Sequence, residues 1–322
     1  MRVLVTGASG LLGSAVAGEL VDNGHEVRTF QRRPSGVEGA TDELGSLTDR
    51  GAIARAVRSV DAVVHLAAKV SLSGHADEFD RVNVKGTTDL VAAASSAGVT
   101  RFVFVSSPSV AHTGTSIMGD DALPADPAHA RGDYARTKAR AELVALGADA
   151  EGFAVVAVRP HLVWGPGDTQ LVERIVDRAG SGRLPVIGSG AALIDTIYID
   201  NAATGIVAAL DRAEHVHGRS YVLTNGEPRP VAEMLGGICR AAGVAAPTWS
   251  VPARVALAAG SLVERVWAVR PGTDEPPMTR FLAEQLSTSH WFDQRRTRAD
   301  LQWAPSVTID EGLERLARSY RG

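Results

Sequence analysis

Over the first half of the chain, short apolar runs alternate with longer stretches of helical spacing. Strand-like runs fall at 3–6, 27–30, 62–66, 102–106 and 154–159. Between them, 11–22, 51–59, 79–97 and 134–146 carry Ala, Leu and Val at the three-to-four-residue interval of an amphipathic helix. Alternation of this kind predicts βαβ units, and so an α/β protein with a parallel sheet covered by helices on both faces. The run Phe102-Val103-Phe104-Val105 has no polar break, as expected of a strand buried on both sides.

After Pro160 the pattern loosens. Gly165-Pro166-Gly167-Asp168 and Gly188-Ser189-Gly190 read as loops, 194–199 as a strand, and 202–212, 231–242, 253–269 and 309–318 as helices. The turn formers of 271–277 predict another loop. The expected division is a first domain over 1–165 and a smaller, partly helical lobe over 166–322, with segments around 190–215 returning to the first domain.

Composition narrows the class. The chain has 322 residues, 45% apolar and 22% charged, which suits a soluble globular protein. Its 33 basic and 37 acidic side chains give a net charge of −4, so phosphate-driven nucleic-acid binding is not expected. Cys239, the sole cysteine, can form neither an internal disulfide nor a cysteine-based zinc site, which fits a reducing, cytoplasmic setting. No His, Asp or Glu cluster has metal-ligand spacing, so no metal is expected. The opening run Val3-Leu4-Val5 is too short for a signal peptide. The apolar region 241–263 is broken by Pro247, Pro252 and Arg254 and should not span a bilayer. A buried helix is the plainest reading; a membrane-surface or complex contact, or the wall of an apolar substrate pocket, also suits it.

Candidate chemistry begins at Thr6-Gly7-Ala8-Ser9-Gly10-Leu11-Leu12-Gly13, between the first strand and the first helix. Glycines at this spacing permit a tight turn, close backbone approach to a pyrophosphate and close helix–strand packing, and the helix start binds the anion. The position therefore predicts a dinucleotide. The second strand ends Thr29-Phe30-Gln31-Arg32-Arg33, with no acid for ribose hydroxyls and two arginines suited to an extra phosphate. NADP(H) is accordingly favoured over NAD(H), with solvated surface charges as the alternative.

Tyr134 and Lys138 lie four residues apart on one predicted helix face, where a cation can lower a phenol's pKa. Alone, such a pair occurs by chance. Here Ser106-Ser107 ends a strand at the carboxyl edge of the sheet, where α/β ligands bind, and Pro108 stops that strand.

With these residues the chain resembles the extended short-chain dehydrogenase/reductases, along essentially its whole length. Besides the glycine loop, His65-Leu66-Ala67-Ala68, Asn83-Val84-Lys85-Gly86-Thr87, the set Ser107, Tyr134 and Lys138, the stretch from Arg159-Pro160-His161-Leu162 to Gly167-Asp168, and Tyr198-Ile199-Asp200-Asn201 carry the likeness. The resemblance implies a Rossmann-type doubly wound parallel sheet with a smaller, mostly helical substrate-binding lobe. It implies hydride transfer at nicotinamide, with Tyr134 exchanging a proton with the substrate oxygen. Lys138 would lower the tyrosine pKa and hold the ribose, and Ser107 would orient the carbonyl. Cofactor contacts implied are Gly7, Ser9, Gly10, Leu11, Leu12, Gly13, Arg32, Arg33, Leu47, Leu66, Ala67, Ala68, Asn83, Tyr134, Lys138, Pro160 and Leu162. His161 is a candidate for the nicotinamide end, and His65 is either a cofactor-pocket residue or a satisfied core histidine. A homodimer packed through the alanine-rich faces of 79–97 and 134–146 is also implied, although burial of those faces against the sheet accounts for them equally well. One departure concerns adenine: Gly45-Ser46-Leu47 has serine where the family carries aspartate.

Within the family, Ile194-Asp195 lacks the arginine of nucleotide-sugar enzymes, and Ser107-Pro108-Ser109 lacks a dehydratase acidic pair. The chain looks closer to the 3β-hydroxysteroid dehydrogenase-like branch, and closest to the 2-alkyl-3-oxoalkanoate reductases, through stretches that include Pro276-Pro277-Met278 and Ser287-Thr288-Ser289-His290. The expected activity is NAD(P)-linked interconversion of 3-oxo and 3-hydroxy groups on a large hydrophobic substrate, fatty-acid-like or sterol-like. A nucleotide-sugar epimerase or reductase and a non-catalytic NADP sensor are the alternatives; retention of both Tyr134 and Lys138 speaks against the sensor.

Overall fold

The computed structural model describes residues 1–70, 75–112, 114–269 and 279–321. Strands β1 (Arg2–Thr6), β2 (Glu26–Gln31), β3 (Thr41–Leu44), β4 (Ala62–His65) and β5 (Arg101–Val105) come first. β6 (Ile117–Asp120) lies apart, and β7 (Ala154–Pro160) rejoins them. After β8 (Val163–Trp164), β9 (Val186–Ile187), β10 (Leu193–Ile194) and β11 (Ile197–Tyr198), β12 (Arg219–Leu223) completes a seven-stranded sheet. Its order is β12-β7-β5-β4-β1-β2-β3, and every pairing is parallel. This is the doubly wound arrangement, whose ligand crevice lies at the carboxyl ends of the strands.

Apolar runs located β1, β2, β4, β5 and β7 to within one residue at each end. They did not mark the sheet's two edges. β3 reads Thr-Asp-Glu-Leu and is mostly exposed, and polar edge strands carry no apolar signal. β12, Arg-Ser-Tyr-Val-Leu, buries only its last three side chains. The strand expected over 194–199 is broken: β10 and β11 are separated by Asp195-Thr196, and a helix begins at Ile199.

Helices cover both faces. On one, Val16 and Leu20 of the helix Leu11–Asp22 and Ile206 and Leu210 of the helix Ile199–Asp211 pack on Val3, Val64, Val103 and Val156. On the other, Ile53, Leu90, Ala141 and Ala145 pack on Leu4, Val63, Phe102, Phe104 and Val155. The strand residues divide by the two-residue alternation of a pleated strand. Each large apolar side chain so buried contributes about 1.5–3 kcal/mol before entropy is subtracted. A third core joins Trp164 and Tyr198 to Met234 and Ile238 of the helix Val231–Ala241 and Leu316 of the helix Ile309–Ser319.

Two further strands of the second half, β13 (Arg229–Pro230) and β15 (His290–Phe292), join β10 and β6 in a four-stranded sheet ordered β13-β10-β15-β6, while β14 (Ser250–Val251) pairs with β9. The loop expected at 271–277 and the stretch Pro276-Pro277-Met278 lie outside the described residues. No helix among the described residues is long and apolar enough to cross a membrane.

Candidate active site

The glycine loop fits a dinucleotide on steric grounds. Gly7 has φ +80° and donates its N–H to Phe30 O at 3.0 Å, crossing from β1 to β2. A Cβ at Gly7 would sit 2.9 Å from the Ala67 backbone, and one at Gly13 only 2.3 Å from Gly7 O. Side chains are therefore excluded where the loop, the 66–68 segment and the helix start converge. Gly10 precedes the helix Leu11–Asp22, which has no side-chain N-cap and no acid in its first turn. The unsatisfied N–H groups and positive helix end there suit a pyrophosphate. Ser9, Leu11 and Leu12 are partly buried beside it.

At the end of β2 the acid that the sequence lacks is supplied by a neighbouring strand, and it is already engaged. Asp42 of β3 accepts from Thr29 Oγ1, from Gln31 Nε2 at 2.8 Å and from Ser35 N at 3.1 Å, which hold its pKa below the usual carboxylate range. Gln31 is buried with its Oε1 unpartnered, and Arg32 and Arg33 are exposed. Ser46, at the position of doubt for adenine, bonds Thr48 Oγ1 at 2.9 Å. Leu47 is buried, and a Cβ on Gly86 would approach it within 2.9 Å.

A chain of buried polar groups ties β1 and β4 to the helices. Thr87 Oγ1 donates to Asn83 O at 2.6 Å, so it accepts from His65 Nε2 at 2.9 Å; Thr6 Oγ1 accepts from Ala67 N and meets His65 Nδ1 at 2.7 Å. His65 is thus satisfied on both nitrogens, and burial, aided by the Lys138 charge, holds its pKa down at about 3. Asn83 spends its amide on Lys69 N and O and on Thr137 Oγ1, all within 3.2 Å. It braces the turn at Lys69 against the helix carrying Tyr134 and Lys138. Leu66, Ala67 and Ala68 run between these anchors.

Ser107 leaves β5 in extended conformation and caps a short 3-10 turn, Pro108–Ala111. Its Oγ accepts from Ser109 Oγ at 2.9 Å and Ser109 N at 3.3 Å. Tyr134 and Lys138 lie on the helix Gly132–Leu146, one turn apart on the same side. Lys138 is buried; its Nζ donates to Val105 O at 2.7 Å and stands 4.1 Å from the Phe104 ring centre. The ammonium is thereby held at the end of the strand that delivers Ser107.

The proton affinities differ from the sequence expectation. Burial lowers Lys138 to about 7, against the opposing pull of Glu142. Burial also pushes the Tyr134 phenol up to about 12. The ammonium is committed to Val105 O and the Phe104 face, so desolvation governs the phenol and no lowering by Lys138 is seen.

Around the carboxyl end of β7 the chain is tightly held. Arg159 and Glu142 are both 1% exposed and form a bidentate ion pair, one arm of which, Nε to Oε2, is 3.0 Å. Pro160 is buried, and Leu162 turns the chain with φ +49°, a conformation costly for a side chain of its size. His161 Nδ1 donates to Asp195 O at 2.8 Å, and the ring packs against Phe292 at 5.2 Å. His112 and His290 meet edge to face at 4.7 Å. Asp195, beside Ile194, is buried and bonded to Thr224 Oγ1 at 2.7 Å and Gly226 N at 3.0 Å; its desolvation raises the pKa to about 6.

Sequence reasoning named Thr87 and Ser109 only within motif stretches and assigned no bonding role to them, to Asp42 or Glu142, or to the His112–His290 contact. Only Ser109 carried a local signal, as a second hydroxyl beside Pro108. Among the described residues no group of three or more His, Cys, Asp or Glu is placed to hold a metal ion.

The chain matches the NAD dependent epimerase/dehydratase family over residues 3–224. It is 40% identical to a 2-alkyl-3-oxoalkanoate reductase of Stenotrophomonas maltophilia, covering 99% of each chain. It is 32% identical to a 3-beta-hydroxysteroid dehydrogenase of Mycolicibacterium neoaurum, covering 99% of this chain and 91% of the relative. Among solved structures, a dTDP-glucose 4,6-dehydratase of Streptomyces venezuelae with NAD bound superposes with a TM-score of 0.76 at 25% identity, over 100% of this chain and 97% of that one. A parallel doubly wound sheet, a glycine loop that excludes a Cβ at Gly7 and Gly13, and these likenesses together establish that the chain belongs to the NAD dependent epimerase/dehydratase family, as an extended short-chain dehydrogenase/reductase that uses a nicotinamide dinucleotide.

Proposed function

We propose that this protein is an NADP(H)-dependent reductase acting on the 3-oxo group of a 2-alkyl-3-oxoalkanoate. The observation that carries the chemistry is the placement of Lys138 Nζ at the end of β5, beside the strand end that bears Ser107 and one helical turn from Tyr134. When bound, the nicotinamide supplies the hydride. Tyr134 acts as the proton donor to the carbonyl oxygen. A phenol at about 12 stays protonated at neutral pH, which supports the reducing direction. Ser107 donates a hydrogen bond to that oxygen as negative charge develops. Lys138 holds the nicotinamide ribose, and the partly exposed Tyr134 regains its proton from solvent before the next turnover.

The substrate class rests on the whole-length likeness to the Stenotrophomonas maltophilia reductase. It is also supported by the apolar Ile194 where nucleotide-sugar enzymes carry a cation. The cofactor preference rests on Arg32 and Arg33, exposed beside an Asp42 that is already occupied by Thr29, Gln31 and Ser35. Gly7, Gly10 and Gly13 hold the pyrophosphate, Leu47 lies toward adenine, and Asn83 contributes by bracing Lys69 and Thr137.

NADPH oxidation is measured with 2-alkyl-3-oxoacids, 3-oxosteroids and nucleotide-sugar ketones. Turnover is expected with the first class; exclusive turnover with nucleotide sugars defeats the proposal. Tyr134→Phe should lower kcat by about 10²–10⁴-fold with the NADPH Kd unchanged. Replacing Arg32 and Arg33 by Ala should weaken NADPH binding by about 10–100-fold and leave NADH nearly untouched. Equal losses for both cofactors would remove the 2′-phosphate role.

A further inference from the structure

The helix Ala253–Val269 has one face tied to the protein and one with no cover among the described residues. The tied face is unambiguous. Ala256 is buried, and a Cβ on Gly260 would come within 2.6 Å of the Thr279–Arg280 backbone. The Glu264 carboxylate accepts from Arg280 N at 2.9 Å. Successive helical residues turn by about 100°, so Val255, Ala258, Ala259, Leu262 and Val266 fall within one arc about 100° wide on the other side. All five are exposed, with Val255 at 56%, Leu262 at 63% and Val266 at 46%. Trp249, four residues ahead of the helix, is 47% exposed. Arg254 and Arg265 both border the same edge of this arc, are exposed, and make no ion pair among the described residues.

We propose that this face lies on an anionic lipid bilayer, with Leu262 and its neighbours entering the headgroup boundary and Arg254 and Arg265 meeting lipid phosphates. A continuous apolar stripe with cations along its border is the form of an interfacial helix. The charge argues for lipid over a second copy of the chain. In an antiparallel pairing of this face with itself the four arginines of the two borders would line one side of the seam without an acid among them, because Glu264 lies on the opposite side of the helix, bonded to Arg280 N. An anionic surface complements them, and does so on a protein whose overall charge is −4. A tryptophan near the border suits the same level of the membrane.

The test is co-sedimentation of the full chain with vesicles of phosphatidylcholine, with and without phosphatidylglycerol. The unmodified protein should bind the anionic vesicles, and added salt should weaken that binding. Leu262→Gln with Val266→Gln should cut it about tenfold. Arg254→Ala with Arg265→Ala should abolish the preference for anionic over neutral vesicles. All four side chains are exposed, so unchanged NADPH affinity and thermal midpoint certify the fold of each variant. Absence of binding to either vesicle overturns the proposal, as does equal binding by the Leu262→Gln/Val266→Gln variant. A dimer that this variant converts to monomer, in a protein that ignores vesicles, assigns the face to a second copy instead.

Discussion

Ser107 accepts from both the hydroxyl and the amide of Ser109. A serine oxygen has two lone pairs, so both are engaged and its own hydrogen is the group left to offer a carbonyl oxygen. Ser109 is in this sense a positioning residue for the proposed reaction. Ser109→Ala should lower kcat by about tenfold with KM little changed, and Ser109→Thr should recover most of the loss. Steady-state kinetics with a 3-oxoacid reads this, and a fall in stability without a kcat effect would refute the positioning role. At this scale the sequence was legible wherever chemistry fixes both residue type and order. Gly7 and Gly13 must lack side chains, and a phenol and an amine four apart share a helix face. Thr87 and Asp42 were illegible because their partners, His65 and Thr29, lie 22 and 13 residues away.

The helix Gly132–Leu146 shows what an element adds. Ala135, Ala139, Ala141 and Ala145 let it approach the sheet closely, and Glu142 locks it there through Arg159 on β7, with Ser220 of β12 donating to the same carboxylate at 3.0 Å. Glu142→Gln leaves a buried guanidinium without its counter-charge, and should cost about 3–5 kcal/mol in urea unfolding. It also removes the one charge that raises Lys138, so the Lys138 pKa should drop further below 7 and the pH–rate profile should shift toward acid. Replacing both partners by Leu should restore much of the stability but not the profile. Unaltered stability in the single variant would show the pair to be dispensable. Periodicity revealed this helix, whereas over 79–97 it predicted one uninterrupted helix. There the chain instead forms a turn of helix at Ala76–Phe79, a π-helical segment at Asp80–Lys85 and a regular helix at Gly86–Ser96. The widened segment carries Asn83, whose bonds to Lys69 and Thr137 are tertiary and leave no mark on local spacing.

Across the whole molecule, four strands drawn from distant parts of the chain, β6, β10, β13 and β15, assemble at the carboxyl edge of the main sheet, and the histidines they gather are buried. Each strand is too short for an apolar pattern to announce, so this assembly was invisible in sequence although the doubly wound sheet was plain. It has a consequence for acid stability. Desolvation lowers His65 and His290 to about 3 and His161 to about 4, and lowers His112 as well; His112 adds to the lowering of His161, and His161 and His112 to that of His290. The groups facing them are few: Lys138 opposes a proton on His65, Arg131 opposes one on His112, and Glu284 favours it. As pH falls below about 6.5 the unfolded chain takes up protons that the folded chain refuses, so stability falls, by up to about 1.4 kcal/mol per pH unit for each histidine. Asp195, raised to about 6, holds a proton that the unfolded chain lacks and offsets one histidine between about pH 6 and 4. Above pH 7 Lys138 carries the slope: its lowered pKa leaves the unfolded chain holding one more proton, so stability rises with pH by up to about 1.4 kcal/mol per pH unit until the lysine of the unfolded chain also titrates. The urea midpoint should therefore drop steeply from pH 6.5 to 5, and His290→Gln should reduce the steepness by about one proton. A midpoint constant between pH 7 and 5 would mean that these histidines are protonated in the folded protein, and that their burial is relieved by water or by a counter-charge drawn into the cluster.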